Sequence, residues 1–336
     1  MITEQPTSVV HFLKPFQPFF EDEQVTEIVV NEPNIVMSLK NSTWQSSRVE
    51  QVTTSHLTKL GVAVAKFSNQ KWDESNPLLS SSMPDGSRIQ LVMPPAVEKN
   101  RISLTIRRPS QVDLDLDDFD KQGLFNDIAV SRFETNEKEN ELKKLLSDKK
   151  FKEFIRKAVI YRKNIICCGA TGSGKTTFMK GIVKEIPLHE RLITIEDVRE
   201  LFLPHQNQVN LLYSATKSGK ADIDTQDLVK SCLRMKPDRI LLAEVRSEEC
   251  LYFIRTAASG HPGSITSLHA DSPMLAWEQL VIMIKESQAG SRLDNEMIRR
   301  LLFMTIDIII HFEEFNGKRR ITEIYYNPDK KYELMK

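Results

Sequence analysis

Apolar and polar positions keep two different rhythms along this chain, and the change between them divides it. Through the first third, short apolar runs alternate with turn residues. Residues 27–39, EIVVNEPNIVMSL, hold two such runs around a Pro-containing turn, and MPDGSRIQLV carries the Asp85-Gly86 dipeptide that favours a tight hairpin. Between them Leu57, Leu60, Val64 and Phe67 recur at helical spacing, with Thr54 or Ser55 as candidate caps. In RISLTIRR, Ile102, Leu104 and Ile106 alternate with Arg101, Ser103, Thr105 and Arg107. That predicts a strand with its apolar side inward and both arginines on the outer face, where they can meet an anion. The expectation is a small α+β module with one helix.

From Asp113 to Lys150 the pattern gives way to acidic clusters (DLDLDDFD) and a Lys/Glu-rich stretch with few core candidates. The domain junction is placed there, read as solvated helix faces joining residues 1–140 to residues 141–336. Beyond it, apolar strands alternate with helical patterns: NIICCGA and a helix from Gly174, LITIED, VNLLYS, a helix in TQDLVKSCLRM, RILLAEV, a helix in EECLYFIRTAASG, and SITSLHA. This alternation predicts an α/β domain around a mostly parallel sheet. Helices follow, one opened by Ser272-Pro273, and the end reads as a hairpin around Asn316-Gly317.

A length of 336 residues suits two domains, each with its own core. Lysine plus arginine equals aspartate plus glutamate at 46 each, so no global field advertises nucleic acid or an anionic membrane. The first twenty residues are broken by Pro6, Pro15 and Pro18 and do not read as a signal peptide, and the apolar run FMTIDIIIHF is too short to span a bilayer and contains Asp307. A soluble protein of a reducing cytosol is expected, with Cys167, Cys168, Cys232 and Cys250 as buried thiols.

Chemistry concentrates in the second half. GATGSGKT, Gly169 to Thr176, matches the phosphate-binding pattern G-x-x-x-x-G-K-[ST] and follows a strand while opening a helix. Gly169, Gly172 and Gly174 permit positive φ, so the amides of Ala170, Thr171, Ser173 and their neighbours through Thr177 can turn toward phosphate. Lys175 would reach the β and γ phosphates and Thr176 would ligate Mg²⁺. RILLAEVR delivers Glu244 to the carboxyl end of a central strand, near that metal. LITIEDVRE delivers Glu196 and Asp197 to the same edge, where a carboxylate can activate water or simply cap a helix. GHPGSITSLHA presents His269 at another strand end, while His261 reads as a turn residue beside Pro262.

Four elements in this order, GATGSGKT, TIEDVRE, ILLAEVR and GHPGSITSLHA, closely resemble the Walker A, Asp box, Glu-ending Walker B and His box of the secretion-superfamily (traffic) ATPases. The form GHPGSITSLHA looks like the VirB-type type IV secretion branch, and the four-cysteine zinc element common in type II secretion ATPases has no counterpart here. The first third is similar to that branch through PDGSRIQ and SLTIRRPS. The resemblance implies a RecA-like P-loop NTPase domain behind the smaller α+β domain, ATP and Mg²⁺ as ligands, and a ring-shaped homohexamer with nucleotide between the two domains. It implies that Arg88, Arg101 and Arg107 contact phosphate, against a plainer reading as solvated strand-face arginines. It implies that Glu196 assists the water, that Glu244 supports Mg²⁺ and water, and that His269 addresses the γ-phosphate, with the base left open between the two glutamates.

The implied setting is cytoplasmic and peripheral to the inner membrane, among secretion-complex proteins that pass a protein or DNA–protein substrate. A type II secretion or pilus motor and a DNA-translocating motor are the alternatives; zero net charge and the lack of a basic-aromatic tract weigh against direct nucleic-acid tracking.

Overall fold

The computed structural model describes residues 7–109, 114–128, 134–214, 221 and 223–334. Asp113 and residues 129–133 of the expected junction lie outside them. The chain starts with helices α1 (Thr7–Leu13) and α2 (Gln17–Glu21) around a short 3₁₀ turn. Pro15 and Pro18 stand in the first turns of the 3₁₀ segment and of α2. There a missing N–H costs nothing, so the prolines begin helices that the sequence pattern did not predict.

Strands β1 (Val25–Glu32), β2 (Ile35–Lys40) and β3 (Thr43–Arg48) precede helix α3 (Thr54–Phe67). After it come β4 (Leu78–Ser82), β5 (Arg88–Val92) and β6 (Ser103–Arg107). The six strands form one antiparallel sheet in the order β3-β2-β1-β6-β5-β4. Its core joins Ile28, Val30, Leu104 and Ile106 to Leu57, Leu60 and Val64 of α3. The cap of α3 is Thr53, whose Oγ1 accepts from His56 N at 3.1 Å, and not Thr54 or Ser55. The helix starts one residue earlier than its apolar stripe suggests.

Helices α4 (Leu116–Lys121), α5 (Glu137–Ser147) and α6 (Phe151–Ile160) connect to the second sheet. The charged stretch is less solvated than its composition predicts. In α5, Leu142 and Leu145 enter the core of the second lobe, and Glu139 is buried against Lys163 Nζ at 2.9 Å and Tyr332 Oη at 2.9 Å.

The second lobe contains β7 (Ile165–Gly169), α7 (Lys175–Ile182), β8 (Leu192–Glu196), β9 (Gln208–Leu212), α8 (Thr225–Cys232), β10 (Arg239–Leu242), α9 (Glu249–Ala258) and β11 (Ile265–Leu268). Then come α10 (Pro273–Glu286), α11 (Asn295–Thr305), the hairpin β12 (Ile308–Phe315) and β13 (Lys318–Tyr326), and α12 (Pro328–Glu333). The sheet runs β13-β12-β7-β11-β10-β8-β9, and every pair except β12–β13 is parallel. Strands covered by helices on both faces read as unbroken apolar runs, which is why this half was so legible. All four cysteines are free and buried here, and burial pushes the Cys168 thiol up to about 12. Among the described residues, no helix is long and apolar enough to cross a membrane.

The face of β6 expected to meet solvent is instead covered by the second lobe. Ser103 and Thr105 are buried, and only Arg107 emerges at the strand end. At the joint, the guanidinium of Arg191, immediately before β8, is completely buried. It donates to Asn31 Oδ1 at 2.8 Å, to Asn207 Oδ1, to Met235 O at 2.8 Å and to Thr105 Oγ1 at 3.4 Å. Among the described residues no carboxylate bonds to it, and desolvation lowers its pKa to about 10. Nearby, Leu212 N donates to Ala96 O at 2.8 Å, so a segment of the first lobe closes the open edge at β9. Arg191→Ala would strand buried amides of both lobes, and we expect it to cost about 3 kcal/mol of unfolding free energy. Denaturant unfolding checks this; an unchanged midpoint contradicts the role given to Arg191 in joining the lobes.

Candidate functional site

Parallel pairing brings several strand ends to one level. Leu268 lies opposite Cys168, so His269 follows β11 at the height of Gly169. Leu242 lies opposite both Ile195 and Thr266, so Glu196 ends β8 one step above that register and Glu244 follows β10 two residues later. The order β7-β11-β10-β8 therefore places the phosphate loop, His269, Glu244 and Glu196 side by side along the carboxyl edge.

The loop has the backbone that its glycines allow. Gly169, Gly172 and Gly174 take φ of 151°, 81° and 101°. At Gly169 a Cβ would come within 2.3 Å of Phe312 O, so the strand end tolerates no side chain. Ala170, Thr171, Gly172 and Thr177 are exposed, and Thr176 is half-buried. Lys175 is buried and its Nζ donates to Gly169 O at 2.7 Å and Ala170 O at 2.9 Å. Burial lowers its pKa, against the pull of the Glu244 charge. Ser173 Oγ is buried and has no hydrogen-bond partner among the described residues. A lysine folded back on its own loop, an orphaned hydroxyl and a helix N-terminus together form a cradle suited to an anionic phosphate.

Glu244 is the hub of the acidic side. Its Oε2 accepts from Arg246 Nε at 2.9 Å and Nη2 at 2.6 Å, and its Oε1 lies 2.7 Å from His269 Nε2. Arg246 also reaches Asp197 Oδ2 at 3.4 Å, which ties the β8 and β10 ends together. Arg246 stands in the quoted motif but was given no role from sequence, because a strand-end arginine looks like ordinary surface until its partners are known.

Glu196 behaves differently. It is completely buried, and its oxygens accept from Thr194 Oγ1 at 2.8 Å, Glu200 N at 2.7 Å and Leu201 N at 2.8 Å. That carboxylate clasps the loop that follows β8, whereas Asp197 is partly exposed at the edge.

The arginines of the first lobe do not converge on the loop within one chain. Arg88 and Arg107 line a cavity of about 720 Å³ with Lys236 and His261, which precede β10 and β11 and so mark the opposite, amino edge of the second sheet. Arg107 Nε lies 3.6 Å from Glu27 Oε1. Arg101 pairs with Glu98 at 3.3 Å, and Glu98 in turn meets Arg199 at 3.7 Å near the carboxyl edge. His261 Nδ1 is 3.0 Å from Pro237 O, a turn contact as read from sequence.

The Mg²⁺ ligands expected from sequence are Thr176 and Glu244; no cluster of three or more His, Cys, Asp or Glu able to bind an ion exists among the described residues. A hydroxyl and a single carboxylate suit an ion whose other ligands are phosphate oxygens and water.

Residues 15–311 match the family described as Type II/IV secretion system protein. A Type IV secretion system protein VirB11 from Bartonella henselae is 42% identical over 95% of this chain and 92% of its own length. A Protein VirB11 from Agrobacterium tumefaciens is 32% identical, covering 94% of this chain and 93% of that one. The crystal structure of the VirB11 ATPase of the Brucella suis type IV secretion system, in complex with sulphate, superposes with a TM-score of 0.94 at 43% identity, over 98% of this chain and 97% of that one.

Proposed function

The chain belongs to the Type II/IV secretion system protein family, and from that premise we propose how its site hydrolyses ATP to energise a type IV secretion system. The observation that carries the reading is the convergence of the Lys175 loop with Glu244, Arg246 and His269 on one sheet edge. Residues Gly169 to Thr177 hold the phosphates, with Lys175 leaving its own carbonyls for the β and γ oxygens. Thr176 and Glu244 would hold Mg²⁺ together with the nucleotide, and the ion would neutralise charge on the phosphates. Water attacks the γ-phosphorus, the bond to the β-phosphate oxygen breaks, and ADP and phosphate leave.

For the proton of that water, we assign the base to Glu244. It lies on the loop side of the site beside His269, and Arg246 orients it, while the lone pairs of Glu196 serve backbone amides. His269 is half-exposed at the same height as the loop and suits a contact to the γ-phosphate. Glu196 assists indirectly, by shaping the segment that carries Asp197 and Arg199.

The motor is assigned a ring of six copies, with the smaller α+β lobe, the junction near residues 113–150 and the ATPase lobe as its working parts. Arg88 and Arg107 face the amino edge of their own second sheet. Their contribution to phosphate therefore comes from a neighbouring copy, and Arg101 acts through Glu98 and Arg199. ATP closes the gap between the second lobe of one copy and the first lobe of its neighbour and hydrolysis reopens it, so that subunits rock as rigid bodies. The setting is the cytoplasmic side of the inner membrane, docked on secretion-complex proteins, with a protein or DNA–protein substrate as cargo.

Two experiments test these assignments. Glu244→Gln should lower turnover by about 100-fold or more with nucleotide affinity within about threefold, while Glu196→Gln should lower the melting temperature and reduce turnover less. A larger turnover loss from Glu196→Gln reverses the assignment. Mixing Glu244→Gln with Arg107→Ala protein should restore activity, since a mixed ring contains sites with both residues intact. No restoration contradicts the contribution between copies.

A further inference from the structure

The hairpin at the end of the second sheet rises past the phosphate loop. β12 lies beside β7 in parallel with Phe312 opposite Gly169, so residues 313–320 continue beyond the level at which the loop begins. This hairpin flanks β7 on the side away from β10 and Glu244.

One of its side chains crosses the loop. A Cβ built on Gly174 would lie 3.0 Å from Cδ, 3.7 Å from Cβ and 3.8 Å from Cγ of Arg319. The aliphatic stem of Arg319 therefore runs over the residue that caps α7 and immediately precedes Lys175. Gly174 is glycine for two reasons, its φ of 101° and this stem.

The guanidinium of Arg319 is exposed and makes no ion pair or hydrogen bond among the described residues. Its neighbour Arg320 is occupied, 3.8 Å from Glu313 and over the Phe315 ring at 5.1 Å. Alternation along β13 puts Lys318 and Arg320 on the face opposite Arg319. An uncommitted guanidinium is thus carried on a stem that crosses the N-cap of α7, one residue before Lys175. A planar guanidinium and a helix N-terminus both favour phosphate oxygens, and a polyanion on the loop would satisfy both.

We propose that Arg319 is a nucleotide-binding residue, closing on the phosphate chain from the hairpin side, opposite Glu244. The assignment rests on the reading of the loop as an ATP site and adds a ligand contact from the C-terminal hairpin. It also gives the hairpin a role: nucleotide occupancy would be reported to the edge strand through the Arg319 stem.

The test is equilibrium binding of ADP and of pyrophosphate to the full chain carrying Arg319→Ala, Arg319→Met, Arg319→Lys or Lys318→Ala, with melting curves confirming folding. The Ala and Met variants should bind both ligands about tenfold more weakly, Lys should recover most of the loss, and Lys318→Ala should stay within about twofold. Equal binding by wild type and Arg319→Ala overturns the assignment while leaving the loop reading intact. Weakened ADP binding with unchanged pyrophosphate binding overturns it in favour of a contact to the base. A wild-type chain that binds neither ligand sinks the loop reading and this assignment together.

Discussion

Parallel pairing of β7, β11, β10 and β8 is the constraint on which the site depends. Each strand pair fixes the height of the residue that follows it, and the registers Leu268 with Cys168 and Leu242 with Ile195 leave no freedom in where His269, Glu244 and Glu196 emerge. A slip of one residue would turn each of these side chains to the other face of the sheet. The cores on both faces, including Ile166, Ile193, Ile240 and Leu268 on one side and Ile165, Leu192, Leu241 and Ile265 on the other, make such a slip costly. The geometry of this sheet edge is thus inherited from the hydrophobic packing below it.

The interface between lobes is built differently. Its centre is polar and fully buried, with Arg191 shared among Asn31, Asn207, Thr105 and a backbone carbonyl. A guanidinium so enclosed has no neutral alternative and few other geometries that satisfy it, so it specifies one docking of the lobes more than it adds to their affinity. Glu27, buried beside the same joint with its pKa raised to about 7 by desolvation, marks where that docking leaves charge poorly solvated. The arrangement fixes Arg88 and Arg107 at the amino edge of the second sheet, away from the phosphate loop of their own chain.

Legibility followed burial. The apolar strands of the second lobe and the turn chemistry at Asp85-Gly86 and Asn316-Gly317 were plain in sequence, because strands buried on both faces and tight hairpins leave local signatures. The early helices were hidden by Pro15 and Pro18, which begin a helix as readily as they end one. The covered face of β6 departs from expectation because Ser103 and Thr105 are polar, and the partner of Thr105, Arg191, lies in the opposing lobe. The clasp of Glu196 on Thr194, Glu200 and Leu201 and the hold of Arg246 on Glu244 are short-range contacts set by how the chain turns after each strand, which residue spacing does not encode. The position of Arg319 over Gly174 joins residues far apart in sequence.

The central claim is that the loop ending in Lys175 hydrolyses nucleotide, and steady-state ATP hydrolysis by wild type and Lys175→Ala in the presence of Mg²⁺ addresses it most directly. The account predicts turnover by wild type and a loss of about 100-fold or more in the variant, with its folding retained. Hydrolysis that persisted in well-folded Lys175→Ala would contradict it.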